Sequence, residues 1–326
     1  MSYVPEKTPC REDEKKRLSL LLENRRALIS GGVGTGKTLL AKHTGGDVYV
    51  NCYTNRSEHK VLEEILHQIR PNFSTAGLTS QRLWKEITGE HLIILDEVDG
   101  MDSKDLGHFA YTISRQAEMG GGICYVAVTR SALMLEQLVH DPAAWSTFAE
   151  KAVVELRPYT REQMVEILSY RADESLTKGT YEEVLPLIAD IASVSAGHMR
   201  SAIDLLRNSA MIADQRGHDM IMPEDVREAN QEGWFGDIGE MEKNHALMLL
   251  SVAALCTGRA YADKKDIFEE YISKCEEYGV EANRKDMEKN LRFLADQGFV
   301  YESEDGYTII DCPASLLSGE IEKLLN

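Results

Sequence analysis

Residues 27–43 read ALISGGVGTGKTLLAKH, a glycine-rich run held between two apolar segments. The spacing Gly31, four residues, Gly36, Lys37, Thr38 is the P-loop pattern. It follows the strand-like ALIS and precedes the helix-like TLLAKH, the order that pattern requires. Glycines let the backbone wrap a phosphate, so that several N–H groups point inward at a helix N-terminus. This places Gly31, Gly32, Val33, Gly34, Thr35, Gly36, Lys37, Thr38 and Leu39 around a bound nucleotide, ATP or ADP. Lys37 is expected to reach the β and γ phosphates, and the Thr38 hydroxyl to ligate Mg²⁺.

The stretch HLIILDE, residues 91–97, reads as a second strand of the same sheet and ends in Asp96 and Glu97. That is where a P-loop protein places its acidic pair: Asp96 for the magnesium shell, Glu97 to polarise the attacking water. Asp99 reads as a turn or cap residue. A further strand, ICYVAVTR at 123–130, ends in Thr129 and Arg130. Either can contact the γ phosphate or orient the water, and a surface ion pair stands beside that reading of the arginine.

The 326 residues are 43% hydrophobic and 28% charged, the balance of a folded chain of two or three domains. The longest apolar runs fall far short of the ~20 residues of a membrane helix, and the N-terminus carries no apolar signal core, so a cytoplasmic protein is expected. Six scattered cysteines and nine histidines form no metal-ligand spacing, which points to reduced thiols. A net charge of −18 repels nucleic acid at long range, so any DNA contact has to come from a local basic face.

Residues 1–160 alternate buried strands (RALIS, DVYVNC, HLIILDE, GICYVAVT) with amphipathic helices, the pattern of an α/β domain with a parallel sheet. Residues 157–230 show helical periods only. The break QEGWFGDIGE, 231–240, reads as a linker. In 237–326 three helical stretches, roughly Asn244 to Cys256, Lys264 to Tyr278 and Arg284 to Gln297, precede FVYESEDGYTII, a hairpin around an acidic glycine turn. That is the order of a winged helix.

Together these stretches resemble the AAA+ ATPases, and more narrowly the archaeal and eukaryotic replication-initiator group of origin-recognition and cell-division-control proteins. The likeness is carried by VPEKTPCREDEKKRL (4–18), VYVNCYTNRSEHKVLEEIL (48–66), LDEVDG (95–100), LRPYTREQMVEILSYRA (156–172), SAGHMRSAIDLLRNSAMIAD (195–214) and MPEDVREA (222–229). It implies a P-loop AAA+ domain over 1–160, a helical lid over 161–236 and a winged helix over 237–326. It implies that Arg200 reaches from the lid to the nucleotide phosphates, coupling nucleotide state to lid angle. It also implies that Val4, Pro5, Arg11 and Tyr159 line the nucleotide. Slow Mg²⁺-dependent ATP hydrolysis follows, with duplex DNA, a helicase or other initiator subunits as partners. Two departures favour slow turnover. Ala143 or Ala144 stands where the family often has an arginine offered to a neighbour's ATP, and Arg130 stands where it has an asparagine.

In NRKDMEKNLRFLADQG, 283–298, Met287, Leu291 and Leu294 share one helical face, while Arg284, Lys285, Lys289 and Arg292 form a basic stripe where a winged helix meets the major groove. Acids flank it, and Glu302, Glu304 and Asp305 sit at the hairpin turn, where phosphates would repel them. Residues 240–326 hold 10 Lys and Arg against 18 Asp and Glu, a net of −8. Two readings therefore stand beside each other: a DNA-binding initiator, and a nucleotide-gated protein-interaction module without DNA. A clamp-loader or helicase-loader motor is a third, disfavoured by the missing arginine.

Overall fold

Aliphatic and β-branched runs pair side by side in the first half of the chain, and amphipathic segments cover both faces. The computed structural model describes residues 4–120, 122–195, 197–231, 238–282 and 285–325. It divides into two compact units, Met1–Tyr159 and Thr160–Asn326.

The first unit runs α1 (Glu12–Leu22), β1 (Arg26–Gly31), α2 (Lys37–Lys42), β2 (Val48–Asn51), α3 (Glu58–Ile69) and α4 (Ser80–Glu86). It continues β3 (His91–Asp96), α5 (Ser103–Glu118), β4 (Ile123–Thr129), α6 (Ala132–Val139), α7 (Pro142–Phe148) and β5 (Val153–Leu156). The strands form one parallel sheet in the order β2-β3-β4-β1-β5. Alternate residues enter opposite faces, as the pleat requires. Leu28, Ile93, Leu95, Tyr125 and Ala127 pack with α3, α5 and α7, whereas Ala27, Ile29, Ile94, Val126 and Val128 pack with Leu18 of α1 and Leu40 of α2. Burial on both faces is why these strands read as unbroken apolar runs. Parallel pairing gathers their C-terminal ends, where an open α/β sheet holds its ligand crevice.

The strand β5 lies outside the four strands read from the sequence. Its four residues VVEL put Glu155 into solvent at a sheet edge, too short an apolar signal to separate from a loop. The free edge of β2 is closed by one side chain. The Gln68 amide of α3 donates to the Tyr49 carbonyl (2.7 Å) and accepts from the Tyr49 N–H (3.0 Å), replacing a missing strand.

The second unit holds α8 (Arg161–Asp173), α9 (Leu185–Val194), α10 (Met199–Arg216) and α11 (Pro223–Ala229). These are followed by α12 (Lys243–Cys256), α13 (Lys264–Glu277), α14 (Met287–Asp296), the antiparallel pair β6 (Tyr301–Ser303) and β7 (Gly306–Thr308), and α15 (Ala314–Leu325). Three helices and a hairpin thus appear in the expected order, and α15 is an addition that the sequence reading did not contain. Most of the linker 231–240 lies outside the described residues. Among the described residues no helix is long and apolar enough to cross a membrane.

Two buried polar clusters fasten α8, α9 and α11 to the last third of the chain. Arg227 of α11 is fully buried. Its three nitrogens donate to the carbonyls of Ile309, Cys256, Arg259 and Ala260 at 2.7–3.0 Å, and to the Thr308 hydroxyl. A guanidinium buried this deeply is tolerated because every nitrogen finds an acceptor. In the second cluster Asp190 of α9, 2% exposed, accepts from Arg161 (2.6 Å), Tyr261 and Ser303 (2.7 Å). Arg161 also pairs with Asp305 at the hairpin turn, so that carboxylate is neutralised within the unit rather than left to repel a phosphate.

Replacing Arg227 with Ala leaves four carbonyls without their buried donor. It is expected to cost about 3–5 kcal/mol in this unit, read as faster amide exchange over 253–262 and 306–315 in the full chain; unchanged protection there would count against the clamp.

Candidate nucleotide site

β1 runs straight into the glycine loop, and α2 starts at Lys37 immediately after it. Gly36 caps α2 with φ 87°, a left-handed conformation that side chains resist. A Cβ at Gly36 would stand 2.8 Å from the Tyr159 hydroxyl, and one at Gly31 would stand 2.6 Å from the Leu156 carbonyl oxygen. Sequence therefore dictates glycine at both ends of the loop for steric reasons. Between them Gly32 and Val33 are exposed, Gly34 takes φ 76°, and Thr35 is buried and donates back to the Gly32 carbonyl (3.0 Å). The Lys37 ammonium also donates to the Gly32 carbonyl (2.6 Å), and Leu39 lies half-buried one turn into α2.

Arg11 braces the loop from behind. It is 4% exposed, lies 4.0 Å over the Tyr159 ring, and donates to the carbonyls of Thr35 (3.2 Å) and Arg157 (2.6 Å). Burial raises the Tyr159 phenol above its ordinary range. Pro5 is buried, and its carbonyl meets His43 Nε2 at 2.9 Å, which holds the preceding segment beside α2; Val4 is exposed.

Asp96 and Glu97 sit at the end of β3. Asp96, 3% exposed, accepts from the Thr38 hydroxyl at 2.9 Å, the Tyr49 phenol at 2.7 Å and the Glu97 N–H at 3.1 Å. Thr38 and Asp96 offer only hard oxygen donors at hydrogen-bond range of each other, a set that suits Mg²⁺, which keeps several waters and phosphate oxygens as its other ligands. Glu97 is exposed, adopts φ 54° and ψ 45°, and accepts from the Asn51 amide at 2.9 Å. Tyr49 and Asn51, two residues apart on β2, were given no role by the sequence reading. The alternation in VYVNC puts both on one face, but their meeting with the acids depends on β2 pairing with β3 in the register Asn51 to Asp96.

Thr129 is 1% exposed at the end of β4, opposite Ser30 of β1, and its hydroxyl is shared with Ser131. Arg130 pairs with Asp99 at 2.7 Å and its side chain remains 64% exposed, the surface ion pair that stood as the alternative to a phosphate contact. Asp99 itself lies in a short 3₁₀ turn, Val98–Gly100. Ala143 and Ala144 occupy the first turn of α7, capped by Asp141. Arg200 is the second residue of α10 in the second unit and is exposed. On α14, Met287, Leu291 and Leu294 are buried while Lys289 and Arg292 are exposed; Lys285, also exposed, lies in the turn before Met287, because the helix starts later than the stretch from Arg284 that the sequence suggests. Arg284 lies outside the described residues.

A strand leading through a glycine loop into a helix, beside a neighbouring strand that ends in two acids, defines a P-loop ATPase module of the AAA+ type. A family model described as the Cdc6 AAA+ ATPase-type lid domain matches residues 165–231. ORC1-type DNA replication protein 1 of Aeropyrum pernix is 30% identical over 316 residues, covering 86% of this chain and 79% of that protein. Its namesake in Sulfolobus acidocaldarius is 26% identical over 312 residues, covering 86% and 78%. The solved Cdc6p of Pyrobaculum aerophilum matches 99% of this chain and 96% of its own, with a TM-score of 0.86 and 27% identity. The chain belongs to the ORC1-type DNA replication proteins, the Cdc6-related initiator family of AAA+ ATPases.

Gly31→Ala would drive a methyl group into the Leu156 backbone, where neither partner can yield as a flexible side chain does. The variant is expected to lose about 1–3 kcal/mol in the first unit, measured by thermal unfolding; an unshifted transition would show that β1 and β5 can part at no cost.

Proposed function

We propose that the chain is an ATP-binding, slowly hydrolysing switch that couples its nucleotide state to DNA or partner engagement in replication initiation. The observation that carries this reading is the approach of the Thr38 hydroxyl to Asp96 at 2.9 Å directly below the glycine loop, with Glu97 held alongside by Asn51. In this proposal Gly31 through Leu39 enclose the phosphates, and Lys37 exchanges its bond to the Gly32 carbonyl for phosphate oxygens. Thr38 and Asp96 hold Mg²⁺, which neutralises phosphate charge when bound. Glu97 accepts a proton from the attacking water, Asn51 orients it, and Thr129 serves as the polar group at the end of β4. Arg130, engaged by Asp99, is left outside the chemistry. Val4, Pro5, Arg11 and Tyr159 flank the nucleotide, Arg11 chiefly by keeping the loop in shape. The missing arginine at Ala143 and Ala144 removes a transition-state cation worth about 10³ or more in rate, which suits a switch.

The division into a nucleotide domain over 1–160, a lid over 161–236 and a winged helix over 237–326 belongs to the same proposal. It is supported by the lid-family match at 165–231 and by the order of α12 to α14, β6 and β7. Arg200 is assigned to the nucleotide phosphates on the family resemblance. The ORC1 protein of A. pernix, similar to this chain at 27% identity with a TM-score of 0.58, was solved in complex with DNA. For this chain we assign DNA contact to Lys285, Lys289 and Arg292 with Arg284, a face small enough to leave affinity modest.

Glu97→Gln is expected to hold nucleotide affinity within about twofold while single-turnover hydrolysis falls by about 10² or more; unchanged turnover would remove Glu97 from the mechanism. Duplex affinity should fall with rising salt, and alanine at Lys285, Lys289 and Arg292 together should flatten the log–log slope by about 2–3. A chain that binds no duplex at low salt, with ATP or with ADP, would instead be the protein-interaction module.

A further inference from the structure

β2 is the edge strand of the sheet, yet two of its side chains reach the acids of β3. Asn51 meets Glu97, and two residues earlier on the same face the Tyr49 phenol donates to Asp96 Oδ2 at 2.7 Å. We propose that Tyr49 is a positioning residue for the metal-holding carboxylate: its phenol pins one oxygen of Asp96 and so fixes the orientation in which that carboxylate and Thr38 face the cation. The inference rests on the nucleotide and Mg²⁺ reading given above and adds to it the residue that holds the metal's carboxylate in place.

Two features set this contact apart from an incidental bond of a half-buried tyrosine. The first is the rigidity of the donor. Tyr49 pairs with Ile94 in the sheet on one side, while the Gln68 amide binds both its N–H and its carbonyl on the other, and Gln68 is itself anchored by Glu64 at 2.6 Å. An edge residue clamped on both sides delivers its hydroxyl to one place.

The second is the division of labour at Asp96. The Thr38 hydroxyl donates its one proton toward the carboxylate, at 2.9 and 3.2 Å to the two oxygens, and keeps lone pairs to offer a cation. If Thr38 turns toward a metal, Tyr49 and the Glu97 N–H still hold Asp96, one on each oxygen. Outer-sphere partners of this kind fix the orientation of metal-holding groups. The Lys42 ammonium lies 4.7 Å over the ring.

The test is a Mg²⁺ titration of fluorescent ATP-analogue binding to the full chain carrying Tyr49→Phe, a change that keeps the ring beneath Lys42 and deletes only the hydroxyl. The Mg²⁺ midpoint is expected to rise roughly tenfold, with analogue affinity in EDTA unchanged. In an Asp96→Asn background the same substitution should add nothing further, because the carboxylate it positions is gone. A midpoint within about twofold of the parent chain, an equal loss in EDTA, or a full effect persisting beside Asp96→Asn would each overturn the assignment while leaving the nucleotide site intact. A parent chain that binds no analogue with or without Mg²⁺ would overturn the nucleotide reading itself, and this inference with it.

Discussion

A carboxylate withdrawn from water must recover its lost hydration from protein donors, and in the first unit everything near the glycine loop is arranged around one such group. Asp96 recovers it from α2 through Thr38, from β2 through Tyr49 and from its own chain through the Glu97 N–H. Those bonds fix where α2 starts relative to β3, and hence where the loop between β1 and α2 can lie. Moving the acid one residue along β3 would turn it to the opposite face of the sheet, into the cluster of Leu28, Ile93 and Leu95. The register of β2, β3 and β4 is thus a chemical constraint as well as a packing one.

The glycine loop was legible because its chemistry and its sterics demand the same residues. Gly31 is required by the Leu156 carbonyl and Gly36 by a left-handed turn under Tyr159, so the spacing that cradles a phosphate is also the spacing the backbone can adopt. The acidic pair was legible for a related reason, since a run as apolar as LIIL ending in two carboxylates has few purposes. Tyr49 and Asn51 were not, because a tyrosine and an asparagine alternating with valines describe any half-buried strand until the neighbouring strand and its register are known. Arg11 donates to the loop's own Thr35 carbonyl, a contact no one-dimensional spacing encodes. β5 and α15 were missed because one is four residues long and the other carries a glycine, Gly319, in its interior.

In the second unit, charge counting was informative about the whole and misleading about the parts. A net of −8 over 240–326 describes the long-range field, but a contact surface depends on which charges are already neutralised. Asp305 is held by Arg161 and Glu288 by Lys264. The exposed positions of α14 retain Lys289 and Arg292, and beside them Phe293 stacks on His245 at 4.2 Å. Of the hairpin's acids Asp305 is in part structural, drawn to the Arg161 that also holds Asp190, so the number of acids in the sequence overstates the repulsion a phosphate would meet.

The conformation of Glu97 separates two uses of a nucleotide. A non-glycine residue at φ 54° costs on the order of 1 kcal/mol, and a fold keeps such a cost only where the surroundings impose it. Here the turn at Val98–Gly100 and the Asn51 amide impose it, and together they leave the carboxylate exposed instead of folded back on β3. A site that used a triphosphate only as structural filler would gain nothing from holding a strained, solvent-facing carboxylate beside Asp96. Strain of this kind repays itself when the group has to meet a water molecule, and for that reason the first unit is read as one that ends its own bound state by hydrolysis.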